Sequence, residues 1–198
     1  MNDSNYLAMR QKASMNAGIM IPKIMEVFMG NLFVVYGDVL SERLLFLADI
    51  LAVSAYGGLM APQDELTHRL FDSVNGLHLQ KAIEDKYGDE RMKHGEVRTI
   101  SGFDFIKTLL FVNALDEPLW SLERDPEIEK RLIVGYHNAV TVAVLMGYKS
   151  ILLPYFGMSL SDNENEYMIK RITRMLLKEL SERRREMDIY FVLPGWMG

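Results

Sequence analysis

The stretch that decides the fold runs from Tyr136 to Gly157 and reads YHNAVTVAVLMGYKSILLPYFG. Its first half continues a stripe of apolar residues at helical spacing, and Gly147 is suited to end that helix. Its second half holds the apolar run Ser150 to Leu153 (SILL), which is typical of a strand buried on both faces. This pairing of an amphipathic helix with a buried strand indicates an α/β layered fold.

The same alternation extends in both directions along the chain. Apolar runs predict strands at Ile24 to Met29, Leu32 to Tyr36, Asp49 to Ser54, Val97 to Ile100, Leu109 to Asn113 and Asp188 to Leu193. Helical spacing predicts helices at Glu65 to Val74, at Leu79 to Tyr87, from Asp125-Pro126-Glu127 to Gly147, and from the capping box at Ser161 to Arg183. Gly30 and Asn31 predict a hairpin turn between the first two strands.

Composition bounds the class of protein. The 198 residues are 49% apolar and carry a formal charge of −5, which is typical of one globular domain. The acidic balance argues against general nucleic-acid binding, and no apolar run is long enough for a membrane span. With no cysteine and no export signal, the cytoplasm is the expected location. We expect an N-terminal arm or short helix over residues 1–22 and one domain over residues 23–198.

Motifs for metal or cofactor chemistry are missing from the sequence. The four histidines show neither HxxxH nor HExxH spacing, so no metal site is predicted. There is no P-loop, no GxGxxG and no GxSxG elbow, and we predict no cofactor.

Three loops that follow predicted strands are candidate binding segments, because ligands of open α/β sheets gather at the carboxyl ends of strands. In Tyr36 to Val39, Asp38 can accept a hydrogen bond from an exocyclic amine, or it can simply cap a turn. Ala55 to Gly58 contains a glycine pair whose backbone N–H groups can hold an anion. Pro154 to Leu160 leads from a strand into a helix, where phosphate can bind, although acidic residues follow at once.

Taken in order, these segments resemble the macro domain, the ADP-ribose-binding α/β/α module. Leu32 to Leu40 (LFVVYGDVL) resembles its first strand, Ala48 to Tyr56 (ADILAVSAY) its VDAIVNAAN strand, and Gln63 to Arg69 (QDELTHR) its VDGAIHR helix start. The stretch quoted first is similar to the family's YRNSLELAAEKGIKSIAFPAIG. The resemblance spans about Leu32 to Leu193 and implies a three-layer α/β/α sandwich with a mixed central sheet.

The resemblance also implies a set of binding residues. Asp38 takes the adenine-contacting position with Val39 beside it, a glycine loop follows the second strand, and a further loop wraps the diphosphate and distal ribose. Tyr56 stands where the family has an asparagine that orients the distal ribose in the hydrolases. The implied ligand-binding residues are Asp38, Val39, Tyr56, Gly57, Gly58, Gly157, Met158, Ser159 and Leu160.

Three functions follow as hypotheses. The first is a module that binds ADP-ribose, a related nucleotide derivative or an ADP-ribosylated protein without turnover. The second is an ADP-ribosyl hydrolase in which Asp64 activates water, with His68 as a second candidate. The third is a macro scaffold without a working pocket that serves protein interactions, and a homo-oligomer stays open. Tyr56 speaks against the hydrolase because it lacks the orienting amide.

Overall fold

The computed structural model describes residues 32–55, 57–59, 64–72, 76–103, 106–115, 127–156, 166–183 and 187–193. The strands are β1 (Leu32–Tyr36), β2 (Ile50–Ser54), β3 (Val97–Ser101), β4 (Thr108–Val112), β5 (Ser150–Pro154) and β6 (Asp188–Leu193). The helices are α1 (Glu42–Leu45), α2 (Glu65–Phe71), α3 (Gly76–Tyr87), α4 (Ile128–Leu145) and α5 (Glu166–Arg183). The predicted strand at Ile24 to Met29, its hairpin turn, the arm over residues 1–22 and the Ser161 capping box lie outside the described residues.

The six described strands lie where the sequence predicts them, within a residue or so at each end. The differences are in the helices. The one-turn helix α1 is not among the predicted helices, because four residues are too few for a visible period, yet it buries Leu44 and Leu45. Helix α4 has Glu127 at its N-cap without a side-chain cap bond, and the predicted start at Asp125 lies outside the described residues.

The six strands form one sheet in the order β1-β6-β5-β2-β4-β3. All neighbouring pairs are parallel except β3 and β4, which are antiparallel, so the sheet is mixed. Parallel neighbours require crossover connections, and the helices supply them.

Helices cover both faces of the sheet, which gives the three-layer α/β/α sandwich that the sequence resemblance implied. In β2, Ile50 and Ala52 face the core under α4 and α5, whereas Leu51 and Val53 face the core under α1, α2 and α3. All five β2 residues are buried, as expected for a strand covered on both sides.

Helix α4 approaches the sheet closely at Gly135. A Cβ built at Gly135 would lie 2.4 Å from the Cβ and 3.0 Å from the Cα of Ala114, just beyond β4. Glycine is therefore required there by the space between helix and sheet rather than by backbone conformation.

A buried carboxylate ties together the amino ends of β2, β4 and β5. Asp49 accepts hydrogen bonds from Lys107 Nζ at 2.8 Å, from Ser150 Oγ at 3.0 Å and from the Lys149 N–H at 3.2 Å. Burial disfavours its ionised form, but these hydrogen bonds outweigh that effect and hold the pKa of Asp49 below its ordinary value.

Strand β3 forms an edge of the described sheet, and side chains from α3 cover its middle. The hydroxyl of Tyr87 accepts from the Thr99 N–H and donates to the Thr99 carbonyl, both at 3.0 Å. Lys86 Nζ donates to the same carbonyl at 2.8 Å.

None of the helices in the described ranges has the length and apolar character needed to cross a membrane.

We expect Gly135→Ala to lower the free energy of unfolding by about 1–3 kcal/mol, because the added methyl overpacks the contact with Ala114 despite better helix propensity. Urea unfolding measures the change. Gly58→Ala is the matched control, since a Cβ at Gly58 meets nothing within 4 Å. Equal stability of the two variants would contradict the close approach.

We expect Asp49→Asn to cost about 2 kcal/mol at neutral pH, because hydrogen bonds to the charged carboxylate are lost. The folded pKa of Asp49 lies below the unfolded one. Its contribution is therefore complete above about pH 4 and disappears as the pH falls through the folded pKa. Urea unfolding from pH 7 to pH 3 should show the difference between wild type and variant shrinking in acid.

The exposed Asp85 on α3 offers a matched control, and Asp85→Asn should change stability little at any pH. A difference in the free energy of unfolding between wild type and Asp49→Asn that stays constant down to pH 3 would rule out the role given to the Asp49 carboxylate.

Candidate functional site

The candidate binding loops lie at one edge of the sheet because β1, β6, β5, β2 and β4 all run in the same direction. The loops after β1 and β2 are separated by two intervening strands, β6 and β5. Three strand spacings amount to about 14 Å. The edge therefore presents two loops at the separation that an elongated ligand would need.

The loop after β1 is a tight turn that fixes Asp38. The Gly37 N–H donates to the Leu193 carbonyl of β6 at 2.9 Å, and Gly37 has a φ of +143°, which favours glycine. Asp38 Oδ1 accepts from the Leu40 N–H at 3.0 Å, and its carbonyl accepts from the Ser41 N–H at 3.0 Å. Asp38 is thus the turn residue that one interpretation of the sequence predicted, with its carboxylate still exposed.

The same turn leaves a backbone donor beside the carboxylate. The Val39 N–H makes no hydrogen bond to any part of the chain that the structure describes. Residue 39 follows Asp38 directly, so an acceptor and a donor stand next to each other at the carboxyl end of β1.

Arg69 of α2 binds the Asp38 carboxylate with two parallel hydrogen bonds. Arg69 Nη1 lies 3.0 Å from Oδ1 and Nη2 lies 2.7 Å from Oδ2. These bonds outweigh partial burial and hold the pKa of Asp38 below its usual range. The two side chains are 41% and 46% exposed, so the pair adds at most about 1 kcal/mol to stability.

The loop after β2 presents one backbone donor rather than two. Gly57 has a φ of +75°, and its N–H donates to the Ala55 carbonyl at 2.8 Å. The Gly58 N–H has no partner within the described ranges, and a Cβ at Gly58 would meet open space. Of the glycine pair, Gly58 is therefore the one whose backbone is open to an anion.

A buried arginine supports this glycine loop from behind. Arg98 of β3 donates to Glu96 Oε1 at 2.7 Å and to the Glu90 carbonyl at 2.8 Å. That segment continues to Met92, whose N–H donates to the Gly57 carbonyl at 3.1 Å. Arg98 thereby fixes the backbone on which Gly57 rests.

Tyr136 of α4 holds the start of the third candidate loop. Its hydroxyl donates to the Pro154 carbonyl and accepts from the Phe156 N–H, both at 2.8 Å. The ring stacks on Phe156 with centroids 4.3 Å apart. Other predicted ligand-binding residues lie outside the described residues, namely Tyr56, Gly157, Met158, Ser159 and Leu160.

Asp64, the predicted catalytic residue, is the N-cap of α2. Its Oδ1 accepts from the Thr67 N–H at 2.8 Å, and the Asp64 N–H donates to Thr67 Oγ1 at 3.4 Å. These two bonds form a capping box. His68 is exposed on the same helix. The cap accounts for an acidic residue at position 64 without any catalytic role, and the catalytic hypothesis stays a prediction.

Within the described residues, no cluster of three or more His, Asp or Glu side chains is arranged to hold a metal ion.

Arg69, Arg98 and Tyr136 were not predicted as site residues. Arg69 and Asp38 are 31 residues apart, and no local spacing links them. Tyr136 was predicted only as part of the apolar stripe of α4. The Asp64 cap did carry a readable signal, because an N-cap residue followed three positions later by a side chain that can return the bond is the pattern of a capping box.

We expect Asp64→Ala to lower the free energy of unfolding by about 1 kcal/mol, because α2 loses its cap. Asp64→Asn keeps a capping side chain and should lower the free energy of unfolding by only about a few tenths of a kcal/mol. Urea unfolding separates the two variants. Equal losses would show that the cap contributes nothing to stability.

Comparisons with known proteins give matches to solved structures only. No family model and no curated sequence matches the chain. The Oceanobacillus iheyensis macrodomain with ADP matches with a TM-score of 0.60 at 19% identity over 84% of this chain and 85% of that one. The Trypanosoma brucei macrodomain in complex with ADP-ribose matches with a TM-score of 0.62 at 12% identity over 89% and 69%.

The macrodomain of Thermus aquaticus DarG is similar over 82% of this chain and 98% of its own, with a TM-score of 0.56 at 15% identity. Three macrodomains from different organisms thus each match more than four fifths of this chain. The fold implied by the sequence resemblance is confirmed, and the chain has the macrodomain fold.

Proposed function

We propose that the chain binds ADP-ribose or a closely related adenine nucleotide derivative at the carboxyl edge of its sheet. Two of the similar solved structures carry ADP and ADP-ribose, respectively. The observation that carries the proposal for this chain is the Asp38 carboxylate beside the Val39 N–H, which has no hydrogen-bond partner among the described residues.

This acceptor and donor complement one edge of adenine. The exocyclic N6 amine of adenine donates and its neighbouring ring nitrogen N1 accepts, so the carboxylate takes the amine and the N–H takes the ring nitrogen. Hypoxanthine presents the reverse pattern, an oxygen acceptor beside an N–H donor. A site of this kind discriminates strongly between the two bases, because the wrong base leaves polar groups unpaired.

The loop after β2 suits the charged part of the same ligand. The Gly58 N–H is open, and Arg98 holds the adjoining backbone in place through the 90–92 segment. Backbone N–H groups in a glycine turn bind anions without a cationic side chain. With adenine at β1 and phosphate near β2, the ligand extends across the ends of β6 and β5.

Calorimetry with ADP-ribose and with its inosine counterpart tests the proposal. We expect a dissociation constant for ADP-ribose below about 100 μM, which corresponds to about 5.5 kcal/mol. The inosine compound should bind at least about tenfold more weakly, because its base matches neither the Asp38 carboxylate nor the Val39 N–H. Asp38→Ala should abolish the preference.

Asp85→Ala, on the exposed side of α3, is the matched control and should bind as wild type does. Equal affinity for the two bases would contradict the placement of adenine at Asp38. No heat at millimolar ADP-ribose would overturn the binding function and favour the interaction-module hypothesis.

The hydrolase hypothesis can be tested with the same protein. Release of free ADP-ribose from a modified protein by wild type, and its loss in the Asp64→Asn variant, would establish turnover. That substitution separates chemistry from folding because asparagine also caps helices.

A further inference from the structure

The Asp38 carboxylate has one remaining place for a ligand. Among the described residues, Oδ1 accepts from the Leu40 N–H and from Arg69 Nη1, and Oδ2 accepts from Arg69 Nη2 alone. A carboxylate offers about four acceptor positions, two on each oxygen. Three are used by the part of the chain that the structure describes, so the open one is on Oδ2.

From this geometry, together with the adenine-binding function proposed above, we infer that Arg69 is a positioning and specificity-determining residue. It fixes the Asp38 carboxylate so that one acceptor, on Oδ2, faces the exocyclic amine of the bound purine. Arg69 does this through its planar fork, which sets the orientation of the carboxylate as well as its place.

The charge of Asp38 determines what kind of partner the carboxylate accepts. An ionised carboxylate only accepts hydrogen bonds, whereas a protonated one also donates. The pKa of Asp38 lies below its ordinary value because of Arg69, but a free aspartate is also ionised at neutral pH, so Asp38 is an acceptor with or without the arginine. Among the described residues, Glu65, one turn earlier on α2, also favours the charged form of Arg69. Without Arg69, the Asp38 carboxylate would still accept from an amine but would lose its fixed direction.

The position of Arg69 favours this role over a purely structural one. Within the described residues its hydrogen bonds are the two to Asp38, and it reaches them from the exposed side of α2. Since both side chains of the pair are close to half exposed, the fold does not depend on it. The pair therefore mainly constrains the direction of the carboxylate.

The test compares two ligands rather than one. In Arg69→Ala we expect the affinity for ADP-ribose to fall roughly fivefold to tenfold, the loss typical of a loosened hydrogen bond. The affinity for the inosine counterpart should change by no more than about twofold. The preference for adenine over hypoxanthine should therefore fall by about as much as the affinity for ADP-ribose does. Arg69→Lys supplies a point charge without the fork and should give an intermediate preference.

Arg174→Ala is the matched control, since Arg174 is exposed on α5 across the sheet. Circular dichroism and urea unfolding report whether each variant is folded. If Arg69→Ala does not fold, Arg69→Lys takes its place in the binding test. Calorimetry on the full chain gives both dissociation constants.

The outcomes separate the two proposals. If wild type binds ADP-ribose and Arg69→Ala binds it equally well or more tightly, the arginine has no positioning role or competes with the base, and the inference is overturned. Equal weakening of both ligands would also overturn it, because that indicates a structural role. If wild type binds neither ligand, the proposed function fails and this inference with it.

Discussion

Parallel strands that are buried on both faces must send the chain back across the sheet after every strand. In this protein five neighbouring strands share one direction, and helices return the chain on both sides. The residues within strands such as β2 are then fully committed to packing. Polar side chains then lie mainly at the strand ends, and the residues just beyond the five parallel strands all lie along one edge. The position of the site follows from this constraint.

The loops at that edge contain few side chains that could fix their own backbone. Side chains from other strands and helices fix it instead. Arg98 of β3 fixes the segment under Gly57, and Tyr136 of α4 bonds to the backbone on either side of Tyr155. Arg69 of α2 holds the side-chain carboxylate of Asp38. Groups that are held before a ligand arrives lose less entropy on binding, so this support favours affinity without touching the ligand.

The fold could be predicted from the sequence because its signals are local and periodic. Buried strands are short apolar runs, and α4 shows a long helical stripe that ends at Gly147. The helix α1 escaped prediction because one turn has no period. The site was predictable only in part: Asp38 follows its strand directly, but its pairing with Arg69 depends on how α2 packs, which no local pattern reports. Arg98 has a local partner in Glu96, but its bonds to the Glu90 and Arg91 carbonyls depend on how the loop folds, which no local pattern reports.

The covering of β3 affects how the sheet can meet another molecule. An edge strand usually offers free N–H and C=O groups to any extended chain that passes, which is a common route to dimers and to fibrils. At Thr99 both groups are already bonded to Tyr87, and the carbonyl also to Lys86. A further strand could add there only by displacing a phenol and an ammonium group, in the middle of a strand of five residues. The protein thus closes this side to sheet extension with two adjacent side chains of one helix.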